Sequence, residues 1–357
     1  MQRWNADQLQ SLIERLLHDD YRVIGPTVRD EALVYDDIRS LPTGWADSQD
    51  AGHYRLSHND DQSRFAFNVG PCTWKQFLYP PEEAIFRVVD GEFVSARETP
   101  GKMAFIGVRA CELSAIGIQD RVFTGDIVDP GYAARRKELL IVAVNCSQAS
   151  ASCFCSSTGD GPAVGAGADL VLTEFDPQDP FYLVEARSHS GEALLAAIGG
   201  TKVTDQELAM IDTALAVTRE QMSRSIQMTG LAKDLLETLE HPHWEDVAAR
   251  CLACGNCTQV CPTCFCSTTR EDVDPVSLDV THVRRWDSCF TKGHSYLSGG
   301  VTHQSVKSRY RQWLTHKLAS WEAQFGTSGC TGCGRCITWC PVGIDITRET
   351  AKVREVP

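Results

Sequence analysis

The sequence predicts an α+β protein with an α/β-like N-terminal domain followed by a helical, cysteine-rich domain. Three observations predict it. An apolar run, a helical stretch and a second apolar run follow one another from residue 104, the pattern of a βαβ unit. Two cysteine runs of identical spacing lie near the C-terminal end. Between them, large apolar residues recur at helical spacing. The expected divisions are residues 1–200 for the α/β domain, 201–250 for a helical linker, 251–346 for the cysteine-rich domain and 347–357 for a tail.

The first element is an amphipathic helix from Asn5 to His18, with Leu9, Leu12, Ile13, Leu16 and Leu17 on one face. Asn5 and Gln8 suit a capping box. Strands are expected at Tyr21–Ile24, Ala32–Tyr35 and Phe65–Val69. A hairpin is expected where Ala84–Val89 and Glu92–Ala96 flank Asp90-Gly91. The βαβ unit comprises Ala104–Val108, a helix over Glu112–Gln119, and Leu139–Val144. Two more strands follow at Leu170–Thr173 and Phe181–Glu185. Thr204 and Glu207 cap a long helix reaching about Met228. Gly230 ends it, and helices over Leu231–Leu239 and His243–Ala249 lead into Cys251. Gly159–Gly167 is glycine-rich but lacks the spacing and following helix of a dinucleotide site, and reads as a loop.

The two runs are Cys251-Leu-Ala-Cys254-Gly-Asn-Cys257-Thr-Gln-Val-Cys261-Pro262 and Cys330-Thr-Gly-Cys333-Gly-Arg-Cys336-Ile-Thr-Trp-Cys340-Pro341. Three thiolates from a short turn-rich loop, a fourth four residues on and then proline form the ferredoxin-type ligand run for a [4Fe–4S] cube. Paired Cys-x-x-Cys units also bind zinc, but two copies with trailing Cys-Pro point to two cubes. The segment from 262 to 329 is too long for a compact ferredoxin, so a helical dicluster domain is expected. In it Tyr310, Trp313, Leu314, Leu318, Trp321 and Phe325 form an apolar stripe that ends at Gly326. That stripe reads as core. Arg309, Arg311, His316 and Lys317 read as solvated helix surface, or as a docking face.

Cys111 and Cys146 each lie just past a strand of the βαβ unit, and Cys153-Phe-Cys155 occupies the next loop. Parallel strands share a carboxyl edge, where ligands bind. These four cysteines are therefore expected to hold a third cube, the alternative being buried thiols. Cys264-Phe-Cys266-Ser-Thr-Thr echoes Cys153-Phe-Cys155-Ser-Ser-Thr. Cys264, Cys266 and Cys289 are expected to pack beneath the cubes; binding another cluster or replacing an assumed ligand are the alternatives. Cys72 reads as a bystander.

Sixteen cysteines without an export signal suit reduced thiols in the cytoplasm. No apolar run is long enough for a membrane span, and a net charge of −13 argues against nucleic acid or an anionic membrane as partner.

These residues resemble a family: the iron–sulfur beta subunit of sulfhydrogenase-type [NiFe] hydrogenases, itself similar to the iron–sulfur component of anaerobic sulfite reductase. The likeness runs through Phe77-Leu-Tyr-Pro-Pro-Glu82, Gly107-Val-Arg-Ala-Cys-Glu112, Cys261-Pro-Thr-Cys-Phe-Cys266, Arg285-Trp-Asp-Ser-Cys289 and the stretch from Phe325 to Asp345. Ala110 departs from it, since proline is usual there. The ferredoxin pattern implies that Cys251, Cys254 and Cys257 share a cube with Cys340. Cys330, Cys333 and Cys336 then share the other with Cys261. The resemblance implies a cytoplasmic, heteromeric complex in which this chain is a non-catalytic electron-transfer subunit. Its implied partners are an FAD/NAD(P)-binding flavoprotein and hydrogenase small and large subunits, or a sirohaem sulfite reductase subunit. Two further readings from the residues are a catalytic protein with an open-site cluster in the N-terminal domain and a zinc-bound scaffold.

Overall fold

The computed structural model describes residues 1–97 and 100–355. An eight-stranded mixed sheet organises the N-terminal half. From edge to edge its strands are Thr201–Lys202, Gln2–Asn5, Phe181–Ala186, Leu170–Phe175, Leu139–Val144, Met103–Arg109, Arg22–Arg29 and Ala32–Asp37. The four strands from Leu170–Phe175 to Arg22–Arg29 run parallel, and all other pairings are antiparallel. Met103–Arg109 is buried along its whole length, as a parallel strand covered on both faces must be.

Helices cover both faces. Ala6–His18, closed by the Asn5/Gln8 capping box, lays Leu9, Leu12, Ile13 and Leu16 on one face with Ala104, Val142 and Val184. Each such side chain contributes roughly 1.5–3 kcal/mol. Ala110–Phe123 packs Leu113 and Ile116 on the other face with Phe105, Ile141 and Val171. The strand–helix–strand unit thus forms as the pattern predicts.

The second half is less helical than its spacing predicts. Ser267–Val273 and Val280–Trp286 form a hairpin, its turn held by the Asp274 carboxylate accepting from the Val276 and Ser277 amides. Glu82–Val89 and Glu92–Ser95, the expected hairpin, pair with it to complete a four-stranded antiparallel sheet. Residues far apart in sequence therefore share one sheet. Helix Val306–Thr315 continues through a π-helical turn, His316–Ser320, into Trp321–Phe325 and stops at Gly326 with φ +67°. The segment beyond 346, expected as a tail, is a helix over Ile346–Val353 capped by Asp345.

Two local expectations fail for physical reasons. Phe65–Val69 is not a strand, because side chains take its backbone groups. The Glu174 carboxylate accepts from the Arg64 and Phe65 amides, and Arg109 donates to the Phe65 and Phe67 carbonyls. A hairpin, Trp45–Asp50 with His53–His58, stands nearby instead. The helix begun at Thr204 ends at Glu220, well short of Met228. Beyond it Arg224 reaches Asp50 and Asp345, and the Ile226 amide reaches Ser157, which holds the chain extended. Among the described residues, no helix is long and apolar enough to cross a membrane.

Candidate metal centres

Both cysteine runs adopt one local design. Each places a residue of positive φ before its second cysteine, Ala253 at +52° and Gly332 at +63°, and a glycine after it, Gly255 at +75° and Gly334 at +77°. That glycine starts a one-turn helix, Asn256–Gln259 in one run and Arg335–Thr338 in the other. A Cβ on Gly334 would lie 2.5 Å from the Ser152 carbonyl oxygen, and one on Gly332 would lie 2.5 Å from Cys155 Cα. No real Cβ tolerates such contacts, so glycine is what lets the N-terminal cysteine loop press directly on the second run.

The runs interleave. Cys251, Cys254, Cys257 and Cys340 line one cavity of about 30 Å³, walled by Phe290, Tyr310, Trp313 and Ile344. Cys261, Cys330, Cys333 and Cys336 line a second of about 20 Å³, walled by Phe154, Trp313 and Lys317. The first cavity thus takes three thiols of the first run with Cys340 of the second, and the second takes three thiols of the second run with Cys261 of the first. Cys336 borders both. Among the described residues, no three His, Cys, Asp or Glu side chains gather tightly enough to hold a single metal ion. The thiols instead surround voids, and a cube separates its ligand sulfurs more widely than one ion does. Four soft donors, a dry wall and closely approaching backbone fit such a group.

The N-terminal cysteines also converge. Cys111 and Cys155 pack together with Val69, Met222 and Cys333. Cys146 and Cys153 lie within electrostatic reach of Cys155. The Cys153 thiol meets Ser150 Oγ at 3.1 Å. Burial pushes Cys153 up to about 11, against the Ser150 hydrogen bond, and pushes Cys155 further up. Burial likewise pushes Cys330 up to about 12. Neutral thiols of this kind give up their protons when a metal group binds. Cys72 stands apart and offers its carbonyl to Arg335 at 3.1 Å.

Buried cations stand among these thiols, and sequence reasoning missed them. Lys317, expected on the surface, is 3% exposed; its Nζ donates to Cys261 Sγ at 3.3 Å, Thr263 Oγ1 at 2.9 Å and the Gly329 carbonyl at 3.0 Å. Arg309, also expected on the surface, is buried and donates to the Phe290 carbonyl. Both lie four residues from Trp313, on the apolar stripe itself, so helical phase carried the signal. Lys75 donates to the carbonyls of Cys261 and Cys264 and lies 3.8 Å over the Trp286 ring; burial pulls it down to about 8. Arg335 is fully buried, paired with Glu112, and donates to the Gly70 carbonyl. Glu112 also accepts from Tyr35, Trp74 Nε1 and the Arg109 amide. A buried carboxylate with four donors is satisfied, whereas one with none would be very costly.

The profile of the 4Fe-4S dicluster domain family matches residues 250–344. Sulfhydrogenase 2 subunit beta of Pyrococcus furiosus is 31% identical over 285 residues, which cover 79% of this chain and 82% of that relative. No solved structure matches the chain. The interleaved cysteine runs, the family profile and an identity spread over most of both chains lead to one assignment: this chain belongs to the sulfhydrogenase beta-subunit family of iron–sulfur proteins.

Proposed function

We propose that this chain relays electrons between an FAD/NAD(P)-binding flavoprotein and the small and large subunits of a [NiFe] hydrogenase. Two [4Fe–4S] cubes sit in the interleaved quartets, and a third is held by Cys111, Cys146, Cys153 and Cys155. A cube takes up and releases one electron at a time. The observation that carries the reading is contiguity: Cys336 borders both dicluster cavities, and Cys333 packs against Cys111 and Cys155. Three thiol sets therefore form a line without an intervening layer of protein. The chain's own residues supply the thiolates, exclude water with Trp313, Tyr310 and Phe154, and set local charge with Lys317 and Arg335. Cys254 is exposed, and the neighbouring Leu252 is 64% exposed, so the line reaches the surface beside the first cavity.

The test is anaerobic purification of the complex followed by reduction with NADH and NADPH. The isolated chain is expected to hold about twelve irons and to stay oxidised with either nucleotide; adding back the flavoprotein reduces it. Reduction of the isolated, flavin-free chain by nucleotide would overturn the relay. A sirohaem subunit in place of a nickel-containing one would move the chain to the sulfite reductase branch.

A further inference from the structure

A third thiol cavity lies outside the quartets. It measures about 480 Å³, opens to solvent, and is lined by Cys264, Cys266, Cys289, His294, Trp313 and Lys317 among others. The hairpin Ser267–Val273 with Val280–Trp286 brings its cysteines together. Ser267 pairs with Trp286, and the Asp287 amide donates to the Cys266 carbonyl at 2.9 Å, which sets Cys289 beside Cys266. His294 Nδ1 lies 3.1 Å from Asp287 Oδ2, holding the imidazole at the same place. Ser288, just before Cys289, is fixed by Thr258 and by the Phe290 amide.

The arrangement differs from that of the quartets. There, the thiols surround a narrow void. Here Cys266 and Cys289 line one open cavity, with His294 on the same wall. The cavity is more than ten times larger than either quartet void and is reached from solvent. Trp313 walls all three cavities, and Lys317 walls this one and the Cys261 site. The pair is therefore one side chain away from both quartets.

We propose that Cys266 and Cys289 are a redox-active dithiol coupled to the cubes. In the reducing direction, the Cys266–Cys289 S–S bond breaks, accepting one electron from each of two reduced cubes and two protons, and gives two thiols. In the oxidising direction, the two thiols release two protons, pass one electron to each of two oxidised cubes, and form the S–S bond. His294 is placed to carry one of the protons. Hydrogen bonds from Cys289 and then His294 lower the Cys266 thiol, and the thiolate is the form that reacts. Such a pair converts the one-electron traffic of the cubes into a two-electron step. It rests on the reading that the quartets hold cubes.

The test uses the iron-loaded full chain, poised anaerobically over a range of potentials, alkylated with iodoacetamide, digested and analysed by mass spectrometry. A peptide pair linked through Cys266 and Cys289 is expected at high potential, giving way to two alkylated thiols with two-electron steepness. Cys266→Ser and Cys289→Ser should each abolish that transition and leave the iron content unchanged. Two outcomes overturn the proposal: both thiols alkylating at every potential, or loss of about four irons in the double variant, which would make these cysteines cluster ligands. Iron content and EPR of the unaltered chain in the same samples report on the cubes separately. Failure of the relay reading and failure of the dithiol are thus distinguishable.

Discussion

The two cysteine runs share spacing and backbone but not surroundings. The run from Cys251 faces outward, with Leu252 and Cys254 exposed. The run from Cys330 is wedged against the N-terminal half, with Arg335 fully buried where the other run carries Asn256. Asn256 makes a single hydrogen bond to the Trp339 carbonyl, whereas Arg335 ties together Glu112, Gly70 and Cys72. At the position before the second cysteine the contrast is sharper. Ala253 keeps its methyl at positive φ in a partly buried position, while Gly332 has no room for one, since Cys155 lies against it. A ligand motif therefore dictates the loop, and its neighbours decide which residues the loop accepts.

The largest effect should come from crossing the runs. Cys340→Ala removes the fourth thiol from the outer quartet, so about four irons and one cubane EPR signal should be lost while the inner signal persists. Loss confined to the inner signal would show that the quartets are not interleaved. Next, Arg335→Met leaves Glu112 buried without its cation and should cost about 3–5 kcal/mol in chemical denaturation. Asn256→Ala at the matching position should cost about 1 kcal/mol. Similar costs for both would remove the distinction between the runs.

Lys317→Met tests charge rather than stability. Loss of a positive charge beside Cys261 disfavours adding an electron, so the inner potential should fall. A unit charge about 5 Å away at an effective dielectric near 20 is worth about 3 kcal/mol, or about 130 mV for one electron. A redox titration followed by EPR would read it, and the outer potential should move far less. The last pair of effects concerns the loop itself. Gly332→Ala should destabilise by about 2–4 kcal/mol through overpacking and unfavourable φ. Ala253→Gly, at the same backbone position in the open run, should be stabilising by about 0.5–1 kcal/mol, measured by thermal denaturation.

Much of the fold was legible because local rules carried it. The Asn5/Gln8 box, the Asp90-Gly91 hairpin and the buried strands around the Ala110–Phe123 helix all follow from short-range pattern. Cysteine spacing suggested the quartets and strand polarity a third set; what lies together in the fold is Cys340 with the first run's thiols and Cys111 with Cys155. Buried charge was not legible in that way. Lys317 and Arg335 look like surface residues by type, and only long-range partners, Cys261 and Glu112, hold them inside. The hairpin over 267–286 was missed for the same reason, since its partner strand lies near residue 85.

That partner strand has a consequence for biosynthesis. Glu82–Val89 leaves the ribosome early, yet one of its edges waits for Val280–Trp286, which is made far later. Translation at roughly 5–20 residues per second leaves that edge open for about ten seconds or more. An unpaired strand of this kind is a template for wrong pairing. The first half of the chain is thus expected to need shielding by a chaperone until the second half arrives. The four-stranded sheet then closes across both halves.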